Sequence, residues 1–232
     1  MIHRGSFHVS LLALGALFVT YVVGQGVFAA LFQFADAAVN LAALFGAGFA
    51  LLCLCTAVLV WAKGLRLAGI GFQGADPQWI ALAPALAALA LLVVSVLGLL
   101  ISEAGRDALN QYTGGQVAHT TGLQFALTLI TLGVLAPIME EFLFRGVLFT
   151  ALRERLGLLI AILGSSVLFA IFHSSTLAVL DRVIDQLLVI ASLSSVGLIA
   201  VWLRHVSGSL YPAILMHGAY NTLVFIVQML SP

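Results

Sequence analysis

Charge is what this sequence has least of. Only 8% of its residues are Asp, Glu, Lys or Arg, against about a quarter in a typical soluble domain. A chain of 232 residues would have room for one or two soluble domains, but no stretch is polar enough to clothe one. Neither sign predominates, because nine basic side chains are matched by nine acidic ones. That excludes the basic footprint of a nucleic-acid-binding protein and the basic tail of a protein held to a membrane surface. Cysteine is scarce as well. Cys53 and Cys55 lie two apart in an apolar run, and on a helix such positions do not face each other. They read as small packing residues, not a disulfide, and leave the redox compartment unread. Repeats, low-complexity tracts and linkers between domains are also missing.

What the chain has is hydrophobic residues, 62% of the total. A bilayer core about 30 Å thick takes about 20 apolar residues per helix. Seven stretches meet or approach that need, at about 9–31, 40–62, 79–102, 122–150, 157–173, 183–203 and 209–230. The expected fold is all-α, a polytopic transmembrane helix bundle of about seven spans forming one integral membrane domain over 1–232. The first stretch follows Arg4, yet its apolar run exceeds the about 7–15 residues of a signal-peptide core, so it reads as a retained helix. The connections are short. Residues 63–78 form a Gly-rich loop ending at Pro77, and 103–122, the longest polar stretch, reads as a loop broken at Gly114 and Gly115.

Loop charge orients the bundle. With the N-terminus in the cytoplasm, Arg4, Lys63, Arg66, Arg153, Arg155 and Arg204 lie inside, and only Arg106 and Arg182 lie outside, each beside acids. The positive-inside rule favours that arrangement.

Ionisable groups within membrane helices are costly and mark pairs or functional sites. Three segments carry them. In Pro137-Ile-Met-Glu140-Glu141-Phe-Leu-Phe-Arg145-Gly146, Glu141 precedes Arg145 by four residues, the favourable order for a helical ion pair. Glu140 points about 100° away from Glu141, so one arginine cannot readily serve both, and Glu140 is left as a candidate general base or acid. Pro137 removes a backbone N–H and can bend the helix there. The second segment runs from Phe169 to His173. The third sets His217 and Asn221 four apart, on one helix face. Stretches four and five read as an antiparallel hairpin turning near Arg153–Gly157, which brings Glu140 and His173 to similar depth. Taken singly, such residues are often structural: a helix-bridging His, a Glu–Arg pair, an Asn bonded to a neighbouring helix.

Glu140-Glu141-x-x-x-Arg145, Phe169-x-x-x-His173 and His217-x-x-x-Asn221 resemble, in order, the three motifs of the CPBP family. That family comprises the type II CAAX prenyl endopeptidases, the bacteriocin-processing and self-immunity proteins, and relatives called Abi proteins. The flanks agree: Ala136-Pro137, Phe144-Arg145-Gly146, and Leu210-Tyr211-Pro212-Ala213-Ile214-Leu215-Met216 before His217. The resemblance covers about residues 122–226, the expected catalytic core. It implies an intramembrane endopeptidase acting on peptide or protein substrates in or at the bilayer, prenylated CAAX-like ones among the candidates. By analogy Glu140 and His173 activate water, His217 and Asn221 stabilise the oxyanion, and Glu141, Arg145 and Phe169 support the site. The family's metalloprotease label implies an alternative in which Glu140, His173 and His217 hold a divalent metal such as zinc, with a fourth position open. The chain has no His-Glu-x-x-His, and Glu140 cannot easily be ligand and base together, so direct activation of water without a cofactor is the favoured reading. His3, His8, His119 and His205 read as bystanders near helix ends. A bacterial inner membrane is the location the analogy implies. A non-catalytic scaffold or bacteriocin-immunity protein of the same fold is the alternative. A proton-coupled carrier would need paired interrupted helices in two halves, which the chain does not show.

Overall fold

The computed structural model describes residues 67–117 and 122–230. The expected spans at 9–31 and 40–62 lie outside the described residues, as do His3, His8 and His119. Every regular element among the described residues is helical.

After a 3₁₀ turn at Leu67–Ile70, helix α1 (Pro77–Gly98) begins where the sequence supplies both signals of a helix start. Asp76 accepts the Gln78 backbone N–H at 3.0 Å. Pro77 occupies the first turn, where its missing N–H has no intrahelical partner to lose. Residues 103–122, expected as a loop, instead hold helix α2 (Glu103–Val117). Its start is capped, because Ser102 Oγ accepts the Gly105 N–H at 3.1 Å. The acid Glu103 in the first turn suits the helix dipole. Gly114 and Gly115 lie in its last turns, where glycine costs propensity without forbidding the helix.

Residues 123–156 form one continuous helical run, called α3. It alternates ordinary α-helix (Leu123–Ile130, Ala136–Glu141, Phe149–Leu156) with two π segments (Thr131–Leu135, Phe142–Leu148). Gly157, with φ 85°, reverses the chain in a single residue. Then come α4 (Leu158–Ile171), the one-turn α5 (Ser174–Leu177), α6 (Val183–Ser207) and α7 (Tyr211–Leu230). The hairpin of α3 and α4 has the register expected from its turn, since Phe144 meets Phe169 at 5.4 Å between ring centroids.

Helices α1, α6 and α7 are long and apolar enough to cross a membrane, and α4 is apolar but shorter. Their outward faces carry exposed Leu92, Leu159, Val183, Leu187 and Leu230, which lipid tolerates and water does not. The protein is an integral membrane protein. Lipid offers little hydrophobic drive for helix association, so close packing of small residues must supply it. Ala83, Ala87 and Ala90 make such a stripe on α1, fully buried against Ala200 and Leu203 of α6 and Ala213 and Met216 of α7. Helix α6 is central, packing on α1, α4 and α7.

Candidate active site

The site is built where α7 crosses α3, and the crossing depends on two glycines. A side chain on Gly218 would collide with the Gly133 carbonyl, and one on Gly133 would press on Thr222. Pro137 has no N–H to offer the Gly133 carbonyl four residues back. The π segment Thr131–Leu135 absorbs this locally, as the Ala136 N–H bonds the Thr131 carbonyl five residues back. Single π turns of this kind recur at functional sites. Asn221 Nδ2 donates to the Leu132 carbonyl at 2.9 Å. Together these contacts fix the register of α7 on α3 and bring His217 level with Glu140 and Glu141.

His217, Glu141 and Arg145 form a buried chain. His217 Nδ1 donates to Glu141 Oε1 at 2.8 Å, and Arg145 Nη1 donates to the same oxygen at 2.8 Å. Glu141 and Arg145 are 0% exposed and His217 is 3%. A carboxylate only accepts, so Glu141 fixes the proton on Nδ1 and turns Nε2 towards Glu140, whose Oε2 lies 3.7 Å away. That Glu140 oxygen is buried and has no hydrogen-bond partner among the described residues. The division expected between the two acids is what the geometry has: Glu141 neutralises Arg145, and Glu140 is left over.

Phe169 joins the rest of the site. The Arg145 guanidinium lies over its ring at 4.5 Å. The His217 and His173 rings meet it edge-on, at 5.4 and 4.9 Å between centroids. His173 Nδ1 donates to the Phe169 carbonyl at 2.9 Å. A carbonyl cannot donate, so in neutral His173 the lone pair is on Nε2. His173 sits just past the end of α4, and its own carbonyl starts α5 by accepting from Thr176 at 3.0 Å. Thus the structure gathers Glu140, Glu141, Arg145, Phe169 and His217 into direct contact. His173 joins through Phe169, with no hydrogen bond to Glu140 among the described residues. Asn221 is on the same face of α7 as His217, one turn deeper, with one N–H engaged by α3.

No three acidic, His or Cys groups among the described residues are arranged to hold a metal ion. Each histidine has one ring nitrogen engaged, His217 Nδ1 by Glu141 and His173 Nδ1 by the Phe169 carbonyl, and both rings contact Phe169.

Sequence reasoning did not single out the small residues that make room. A side chain on Gly197 of α6 would meet Arg145 Nη2 and Ser166 at about 3.0 Å, so Gly197 lets α6 close over the guanidinium. An isolated Gly within an apolar helix was the available signal. Asp185 was missed too. Buried at the start of α6, it accepts the Ser102 N–H at 3.0 Å and hydroxyl at 2.5 Å, and so ties α2 to the core.

Residues 122–223 match the family described as type II CAAX prenyl endopeptidase Rce1-like. A protein of Escherichia coli described as an uncharacterized 24.3 kDa protein is 39% identical over 103 residues. That alignment covers 42% of each chain, so the chain spans less than half the length of this relative. No solved structure matches. The matched segment contains all of Glu140, Glu141, Arg145, Phe169, His173, His217 and Asn221, and its similarity to the Rce1-like model supports the CPBP, or CAAX protease, family.

Proposed function

We propose that the protein is an intramembrane endopeptidase cleaving membrane-associated peptides, prenylated CAAX-like ones among the candidates. Glu140 and His173 activate the water, and His217 with Asn221 stabilises the oxyanion. The observation that carries this reading is the buried, unpartnered Glu140 Oε2, 3.7 Å from an imidazole nitrogen fixed from behind by Glu141 and Arg145. A structural Glu–Arg pair has no use for that second acid. Hydrolysis does, because it needs a base for water and donors where negative charge develops.

In the proposed reaction, water is held between Glu140 and the lone pair of His173 Nε2. Its oxygen attacks the scissile carbonyl carbon while Glu140 takes a proton. Protonated His217 keeps one N–H on Glu141 and offers the other to the new oxyanion, and the second amide hydrogen of Asn221 assists. Glu140 then returns its proton to the amide nitrogen, the C–N bond breaks and the amine leaves, and the new carboxylic acid passes its remaining proton to Glu140 or to water and leaves as a carboxylate. No step is routed through a metal.

Access fits the cytoplasmic side inferred from loop charge. His217 is six residues into α7, or about 9 Å below its start at 1.5 Å per residue. Counted along α3 from Leu156, Glu140 would be about 24 Å deep. The two depths agree if the α3–α4 tip extends past the start of α7. Consistent with that, Gly146, ten residues short of the tip, already packs beside Leu210.

The test is cleavage by purified protein in liposomes, wild type beside Glu140→Gln, read by mass spectrometry on membrane and prenylated peptides. Loss of a general base lowers the rate by about 10²–10⁴-fold. Equal cleavage by both proteins overturns the reading. Cleavage by neither, with partner binding intact in both, favours the scaffold.

A further inference from the structure

At the end of the bundle where α3 turns into α4, Arg153 and Arg204 come together with no acidic partner for either among the described residues. Phe149 of α3, Ala161 of α4 and Val201 of α6 pack together in one buried cluster. One helical turn nearer the membrane face, the same three helices present Arg153, the start of α4 at Gly157, and Arg204 with His205. Arg153 lies over the Phe149 ring, close enough to Arg204 for the like charges to repel. Arg204 is 7% exposed, and its Nε is buried without a hydrogen-bond partner among the described residues. Its guanidinium is wedged against Gly71, where a Cβ would meet Nε at 2.6 Å. His205 Nδ1 is buried and unpartnered as well. No side chain caps the 14-residue helix α4, so its first N–H groups also face this spot. The nearby acids do not answer: Glu154 is exposed, and Asp76 is engaged in capping α1.

We propose that this crevice binds the phosphate of an anionic lipid headgroup. A guanidinium fork matches phosphate oxygens bidentately, and a helix N-terminus adds N–H donors and a favourable dipole. Membrane depth favours a lipid over a soluble anion. Trp202, two residues before Arg204, is partly exposed and packs edge-on against Trp79 at 5.7 Å, and tryptophans collect at headgroup level. Around the crevice, exposed Leu156, Leu158 and Leu159 at the hairpin tip provide an apolar rim for acyl chains. The site is separate from Glu140 and His217, and its occupancy does not depend on catalysis.

Native mass spectrometry of the detergent-purified protein tests this, with dioleoyl phosphatidylglycerol added at fixed ratio and phosphatidylcholine or inorganic phosphate as competitor. Wild type is expected to retain phosphatidylglycerol over phosphatidylcholine. Arg204→Gln and Arg153→Gln are each expected to lose about fivefold in occupancy, the typical effect of one arginine at an anionic surface. Arg204→Lys should fall between. Arg153 is exposed, so its variant keeps the fold and remains informative if Arg204→Gln is poorly folded. Equal phosphatidylglycerol occupancy in wild type and Arg153→Gln, with unchanged helicity and monodispersity, overturns the proposal. Displacement of the lipid by equimolar inorganic phosphate overturns the lipid assignment in favour of a soluble anion.

Discussion

Arg145→Met offers the sharpest physical test of the site's construction. Arg145 and Glu141 are both fully buried and joined at 2.8 Å. Methionine removes the cation but keeps an unbranched side chain against Phe169 and Gly197. Glu141 is then left buried with only the His217 Nδ1–H as partner. Breaking a buried pair from one side costs about 3–5 kcal/mol. Loss of the cation over the Phe169 ring, 4.5 Å away, adds about 1–2 kcal/mol for a desolvated contact. The orphaned carboxylate by itself shifts the unfolding equilibrium by about two to three and a half orders of magnitude at 1.4 kcal/mol per decade. The double variant Arg145→Met with Glu141→Gln removes both charges and keeps an acceptor for His217, so it should recover most of the loss. The assay is reversible unfolding in mixed micelles or bicelles, followed by circular dichroism across wild type, both single variants and the double variant. A single variant within about 1 kcal/mol of wild type would refute the reasoning. A double variant no more stable than Arg145→Met would refute it too, since the cost would then lie in lost packing and not in an unpaired buried charge.

Two other predictions concern the crossing of α7 on α3. Gly218→Ala drives a methyl group into the Gly133 carbonyl and should destabilise by about 1–3 kcal/mol, the usual cost of overpacking. Gly69→Ala, with open space around it, should be near neutral in the same unfolding assay. Asn221→Ala removes the donor to the Leu132 carbonyl and should cost about 0.6–1.7 kcal/mol, the range for interhelical hydrogen bonds in membranes. If Asn221 also serves the oxyanion, cleavage should fall by about 10²–10³-fold, far beyond what that stability loss explains. A cleavage rate that merely tracks stability would reduce Asn221 to a positioning residue.

The α3 segment shows how local backbone irregularity serves the site. Pro137 disturbs the hydrogen-bond ladder just before the acids. The π segments on either side of Ala136–Glu141 keep the run continuous. An extra residue per turn rotates the side chains that follow, so the angular relation of Glu140 and Glu141 to Thr131 and Phe149 is not that of a uniform α-helix. Leu132, within the first π segment, is the carbonyl that α7 engages through Asn221.

Much of the architecture was legible from composition and periodicity. Apolar length alone specified membrane helices at α1, α6 and α7, because a bilayer dictates their number of residues. The i, i+4 spacing specified the Glu141–Arg145 pair, a contact within one helix that needs no tertiary information. The polar run 103–122 misled, because polarity and a Gly pair indicate exposure, not backbone conformation. Helix α2 forms there since Ser102 caps it and Asp185, 83 residues away, holds the cap in place. Which residue faces which across helices was decided by the tertiary structure alone. His217 meets Glu141 because Gly218 and Gly133 allow the backbones to touch, and Arg145 is covered because Gly197 leaves space for it. Phe169 contacts both His173 and His217, and the two imidazoles that look alike in sequence are held differently, one by a carboxylate and the other by a carbonyl. The physical reason is that sequence spacing fixes a residue's height and angle on its own helix, whereas pairing between helices depends on crossing geometry, and that geometry is set by where side chains are absent.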